Sequence, residues 1–154
     1  MGAAPPIDLT AAHRWFADDY FHLVWKLLDQ TDRTADDNER MISLCHASLA
    51  HWHDRADCTD RSLSIGWWQL SRVHAVLGQG ELAMHTALHS LDKSHDEPPF
   101  YVGYAHEAIA RAAKVMGNPQ IQTRHRDFAQ QLAATVDDAG ERQALEADLA
   151  ALGV

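Results

Sequence analysis

Apolar residues return every three or four positions along most of this chain, which is the spacing of one face of an α-helix. Leu9, Ala12, Phe16, Tyr20, Leu23, Val24 and Leu27 form one stripe. Met41, Ile42, Cys45, Leu49 and Trp52 form a second. No stretch sustains the apolar–polar alternation with β-branched residues that marks a half-buried strand. The pattern predicts an all-α fold.

Glycine and proline divide the pattern into elements. Proline is confined to positions 5–6, 98–99 and 119, and glycines punctuate the chain at 66, 78, 80, 103, 117 and 140. The first helix is expected from about Asp8 to Asp29 and the second from about Asp36 to His53. The third runs from about Ser62 to Leu77, where Gly78 supplies the residue that ends a helix in the left-handed conformation. A fourth follows from Gly80 to Ser94 and a fifth from Pro99 to Met116. Pro119 suits the first turn of a sixth, where its missing N–H costs nothing; this helix extends to about Val136. The Ala-, Leu- and Glu-rich stretch from Ala139 to Leu152 has strong helix propensity and closes the chain. Residues 1–154 read as one domain of three hairpins, at about 8–53, 62–94 and 99–136, with a capping helix at about 139–152.

Bulk properties narrow the functions. An apolar content of 46% sets the chain apart from disordered sequences. The formal charge is −9, with 13 Lys and Arg scattered along the chain. Nucleic-acid binders need a concentrated basic face to neutralise phosphates, so this partner class is not expected. No apolar run approaches the ~20 residues of a membrane span. The opening MGAAPPIDLTAAHRW lacks the basic and apolar regions of a secretory signal. Two cysteines, Cys45 and Cys58, give no disulfide framework, so a reduced, cytoplasmic setting is expected. Eleven histidines would carry the charge from −9 to +2 if all were protonated.

Those histidines are the first candidates for chemistry. LCHASLAHWHDR, residues 44–55, places His46, His51 and His53 around Trp52. His46 and His53 share a helix face at the border of the apolar stripe, but lie roughly 10 Å apart along the axis. One metal ion with bonds of about 2 Å cannot bridge them, so a site there needs ligands from another helix. His85 and His89 stand at i and i+4, the spacing of metal-binding helical pairs. They fall nearly opposite the core positions Ala83, Ala87 and Leu91, which predicts an exposed pair outside any catalytic cavity. Glu107, Arg111 and Lys114 read as a solvated ion pair with a neighbouring cation. Cys45 falls on the core face and Cys58 in a loop. No serine–histidine–acid order, phosphate loop or dinucleotide motif is present. No catalytic residue and no cofactor is expected.

Repetition is more informative. Trp67 and Tyr101 are 34 residues apart, the period of a tetratricopeptide repeat. Trp67, Leu70, Ser71 and His74 occupy the positions where such a repeat has Trp, Leu, Gly and Tyr. Gly78 falls at its turn, and Ala83, Ala87 and Ser90 stand at its small positions. The stretch GWWQLSRVHAVLGQGELAMHTALHSLDKS thus resembles one tetratricopeptide unit. Tyr101, Tyr104, Ala105 and Ala108 begin a looser second unit, and residues 8–53 join only by analogy. The chain is also similar to stand-alone bacterial tetratricopeptide-like proteins, a likeness that carries a fold and no activity.

The resemblance implies a short right-handed α-solenoid whose first helices line a groove. The groove positions would be Trp68, Arg72, Ala75 and Val76 in the third helix, and Val102, His106, Ile109 and Ala110 in the fifth. Trp and Arg are frequent hot spots of interfaces, so a scaffold binding a protein or peptide segment is the leading expectation, and a homodimer is a second possible assembly. The alternative is a metal-binding protein or metal-dependent enzyme, with His46 or His53 joined by His74, His106 or Glu107 from neighbouring helices.

Overall fold

The computed structural model describes residues 7–153. Among them are seven α-helices and no strand: α1 (Leu9–Leu28), α2 (Ala35–His53), α3 (Asp60–Val76), α4 (Gly80–Ser94), α5 (Pro99–Val115), α6 (Pro119–Ala133) and α7 (Ala139–Ala151). The expected all-α class and element order are present.

Side-chain caps set most of the helix starts. Asp8, Thr59, Asn118 and Asp138 each accept a hydrogen bond from the backbone N–H three residues on, satisfying a donor the helix leaves orphaned. At α2, Thr34 and Asp37 bond reciprocally in a capping box. The hydroxyls of Thr34 and Thr59 start α2 and α3 one and two residues ahead of the positions read from apolar spacing. Gly78 and Gly117 take φ of +74° and +68° just beyond α3 and α5, the conformation that ends a helix without a Cβ clash. α6 stops three residues before the expected Val136. There the Thr135 hydroxyl donates to the Leu132 carbonyl, and a tight turn buries Val136.

The single domain expected from the sequence corresponds to two compact units, one ending at Cys58 and the other starting at Thr59. In the first, α1 and α2 run antiparallel, with His13 opposite His51 and Ala17 opposite Ser48. Their shared core is Ala17, Val24, Leu27, Met41, Cys45 and Leu49. The Ser48 hydroxyl donates to the Ala17 carbonyl at 2.8 Å, so the polar group buried there is satisfied.

In the second unit, α3 and α4 touch through small residues. Ser64 and Ser90 each donate a hydroxyl to the other's carbonyl at 2.9 Å, and Ser71 donates to the Ala83 carbonyl at 2.8 Å. Ala83 and Ala87 are fully buried along the same seam. α5 packs against α3, α4, α6 and α7, and its alanines at 105, 108, 110, 112 and 113 are buried. Gly103 lets α7 approach: a Cβ there would fall 2.6 Å from Leu145 Cδ2. Leu145, Leu149 and Leu152 close the end of the unit over Ala110, Ala129 and Ala133. Each contributes about 1.5–3 kcal/mol of burial.

Candidate functional site

Glu107 organises the most unusual part of the second unit. It lies in the middle of α5, facing α3, and is fully buried. Arg111, one turn on, donates its Nε to Glu107 Oε1 at 2.7 Å and also approaches through Nη2. Trp68 of α3 donates its indole N–H to Glu107 Oε2 at 3.2 Å. Arg72, one turn beyond Trp68, sits 3.8 Å from Glu107 Oε1 through Nη1, and donates Nη2 to Asp148 of α7 at 3.0 Å. The second oxygen of Asp148 accepts from the Tyr104 hydroxyl at 3.0 Å. Two cations and two carboxylates thus balance within one cluster drawn from α3, α5 and α7. The solvated Glu107–Arg111 pair expected from i, i+4 spacing is instead a buried network. The i, i+4 contact is present, but position 107 is closed off against Trp68 and Arg72 of α3 and does not face water.

An apolar pocket opens beside this network. Ile65, Trp68, Phe100, Tyr101 and Tyr104 wall a cavity of about 200 Å³, with Ser64 and Ser90 also lining it. Trp68 and Tyr104 meet edge to face at 5.0 Å, as do Phe100 and Tyr104, the arrangement their quadrupoles favour. The Arg61 guanidinium lies 4.7 Å above the Tyr101 ring and pairs with Glu97 at 2.6 Å. Burial, helped by the Asp148 carboxylate, pushes the Tyr104 hydroxyl well above its ordinary pKa. Its bond to Asp148 fixes Tyr104 as a hydrogen-bond donor.

The eight positions expected to line a groove do not share one surface. Trp68 and Arg72 belong to the pocket wall and the ion network. Ala75 is buried, whereas Val76 is 46% exposed. Both line a shallow recess with Arg111, Lys114 and Leu152. Val102 is half-buried. His106 turns towards α6, where its Nδ1 lies 2.9 Å from Nδ1 of His125 and its ring rests near Phe128. Ile109 is 1% exposed and packs with Ala87 and Ala108 against Trp68, Met84 and Leu91. Ala110 is sealed beneath α7. Phe100, Tyr101 and Tyr104 were not among the groove positions. In the sequence Tyr101 and Tyr104 stand out as repeat positions, and Phe100 only by its place in an aromatic cluster straight after Pro98–Pro99.

The histidine-rich stretch also departs from its expected arrangement. His46 and His53 are exposed, whereas His51 is half-buried. His51 stacks on Phe16 and sits 2.9 Å, Nδ1 to Nδ1, from His13. The residues of α1 that supply this aromatic bed are what the wheel of α2 alone could not include. Trp52 is half-buried, covered by the Arg55 guanidinium at 3.7 Å. Arg55 in turn bonds Asp57 and Asp18, and its hydrogen bonds hold the Asp57 carboxyl down at about 2.

His74 and Glu107, the other members of the metal alternative, are both engaged. His74 is buried with Nδ1 2.6 Å from the Gln79 side-chain oxygen, and Glu107 serves the ion network. No group of three or more His, Cys, Asp or Glu is gathered as a metal site among the described residues. No helix among them is long and apolar enough to cross a membrane. Burial raises the Cys45 thiol to about 12, which removes its nucleophilic form at neutral pH.

No protein-family model, no curated protein and no solved structure matches this chain.

Proposed function

We propose that the chain is a small interaction module of tetratricopeptide type that holds one apolar side chain of a partner protein segment in its aromatic pocket. The observation that carries this reading is the pocket walled by Ile65, Trp68, Phe100, Tyr101 and Tyr104. At about 200 Å³ it falls below the size range of drug and cofactor sites. It is close to the size of an engineered apolar cavity that takes benzene, about 150 Å³. One leucine, methionine or phenylalanine side chain is the matching occupant. The walls are aromatic, which suits a hot-spot pocket, and the network behind Trp68 and Tyr104 fixes both rings before anything enters.

Supporting the repeat assignment are the 34-residue offset of Trp67 and Tyr101 and the small-residue seam between α3 and α4. In this reading α3/α4 and α5/α6 are successive repeats of a right-handed solenoid and α7 is its cap. Contact then runs through the pocket and its Arg61 rim in place of the groove positions first read from sequence. A cytoplasmic setting accords with the two cysteines.

Selection of a random peptide library on the purified chain tests this. Enriched peptides should share one bulky apolar anchor. They should lose at least tenfold in affinity for Ile65→Trp, which fills the pocket, and for Tyr101→Ala, which strips one wall. Both variants should retain the helical circular dichroism of the parent. Peptides that bind Ile65→Trp as well as the parent would place recognition elsewhere and end the proposal. Failure of any peptide to enrich would count equally against it.

A further inference from the structure

We infer that His85 and His89 on α4 form a two-histidine site for a tetrahedral divalent ion, zinc being the best match. The two residues stand at i and i+4 on one face of α4, and their Nε2 atoms lie 3.3 Å apart. Two nitrogens bound to one tetrahedral zinc at about 2.0–2.1 Å are separated by about 3.3–3.4 Å. The rings are therefore already at the bite distance, and a bound ion takes the place of the hydrogen bond their Nε2 atoms share.

A second helix holds the geometry. The His89 ring stacks on Trp67 of α3, with centroids 4.6 Å apart and planes 24° from parallel. The His85 ring stands edge-on to it at 4.7 Å and 86°. A ligand ring fixed by packing gives up less freedom on binding than one on an open helix. Glu81 and Asp92, both exposed, lie one turn before His85 and one turn after His89. Their charge adds a field that favours a cation.

Two other histidine pairs among the described residues lack this arrangement. His13 with His51 and His106 with His125 face each other through Nδ1 at 2.9 Å. That is closer than a tetrahedral pair allows, and both pairs lie wedged between helices.

His85 is exposed and His89 half-buried, so water completes the shell of a bound ion. Such a site stands outside any cavity. Its effect is to staple one turn of α4, because an ion that binds only the folded state stabilises it by mass action.

The experiment uses full-length protein without an affinity tag. Zinc chloride alone is titrated by calorimetry, and the thermal midpoint is read with and without zinc. The parent should bind zinc and melt higher in its presence. His85→Gln and His89→Gln should each weaken that binding at least tenfold, because the second ligand no longer acts at high effective concentration. His46→Gln, on an exposed lone histidine, should change nothing. Cobalt(II), a tetrahedral surrogate, should quench part of the tryptophan emission, and Trp67→Phe should remove that part while leaving the zinc isotherm within threefold. An isotherm within twofold of the parent in the His85→Gln/His89→Gln double variant would overturn the assignment, as would a parent that shows neither heat nor a midpoint shift.

Discussion

Arg72 on α3 and Asp148 on α7 meet at 3.0 Å although 76 residues separate them. With Tyr104 on the other oxygen of Asp148, this contact ties α7 to the first hairpin of its unit. The apolar face of α7 holds it against α5 and α6, and the carboxylate fixes its register. Breaking a buried ion network by removing one partner leaves uncompensated charge, and costs about 3–5 kcal/mol. Glu107→Ala should therefore lower the thermal midpoint by at least roughly 6 °C. Asp148→Asn, at a partly exposed position and with an oxygen retained, should cost about 1–2 kcal/mol. Thermal melts of both variants rank the two effects. A Glu107→Ala midpoint within about 3 °C of the parent would show the network to be dispensable.

The His106–His125 pair makes stability depend on pH. Burial and the neighbouring His125 hold His106 down at about 4, and burial together with Arg124 lowers His125. The unfolded chain binds protons at about 6.5 while the folded pair stays neutral. Stability from this pair is fully present above about pH 6.5 and drains away as pH falls towards 4. His51 in the first unit is lowered in the same sense, by burial and by His13. The pair is only half-buried, so solvent screening holds its share to about 1–2 kcal/mol. Urea midpoints measured from pH 7.5 to 4.5 should fall more steeply for the parent than for His106→Leu. Parallel slopes would assign the acid sensitivity elsewhere.

Gly103 should tolerate no side chain while Leu145 keeps its place. Gly103→Ala puts a methyl 2.6 Å from Leu145 Cδ2, inside a closed core. Overpacking of this kind costs about 1–3 kcal/mol. Leu145→Val in the same chain should recover part of the loss, whereas Leu145→Val alone destabilises. A double-mutant cycle on urea midpoints measures the coupling, and strict additivity would argue against a direct clash.

The two cysteines should differ in reactivity. Cys45 is 1% exposed with its thiol raised to about 12, and Cys58 is half-buried in the loop before α3. Iodoacetamide at pH 8 should label Cys58 first and Cys45 only on unfolding. Peptide mapping after timed quenching distinguishes them, and equal labelling in the native state would contradict the burial of Cys45.

Helices were legible because their signals are local. A 3.6-residue stripe, a hydroxyl cap and a glycine stop each act within a turn or two, so α4 and α5 begin where the sequence puts them. Ala83, Ala87 and Ser90 were legible as a seam because small residues at that spacing have few other uses. Position 107 was not. A glutamate four residues before an arginine looks the same whether the pair faces water or a packed helix, and only Trp68, Arg72 and Asp148 decide between them. The setting of His51 was equally hidden: Phe16, Tyr20 and His13 of α1 supply a bed that α2 alone does not reveal. What one helix presents can be read from its own residues, whereas what it meets requires the partner.

Trp68 and Tyr104 each have their ring in the pocket wall and their polar atom in the ion network. A guest that turns either ring must strain a hydrogen bond to Glu107 or Asp148, and Asp148 belongs to α7. Linkage is reciprocal, so whatever the docking of α7 adds to affinity in the pocket, occupancy returns as protection of α7. The terminal helix is thus a built-in reporter: slowed amide exchange between Ala139 and Ala151 would register a guest bound on the far side of the network.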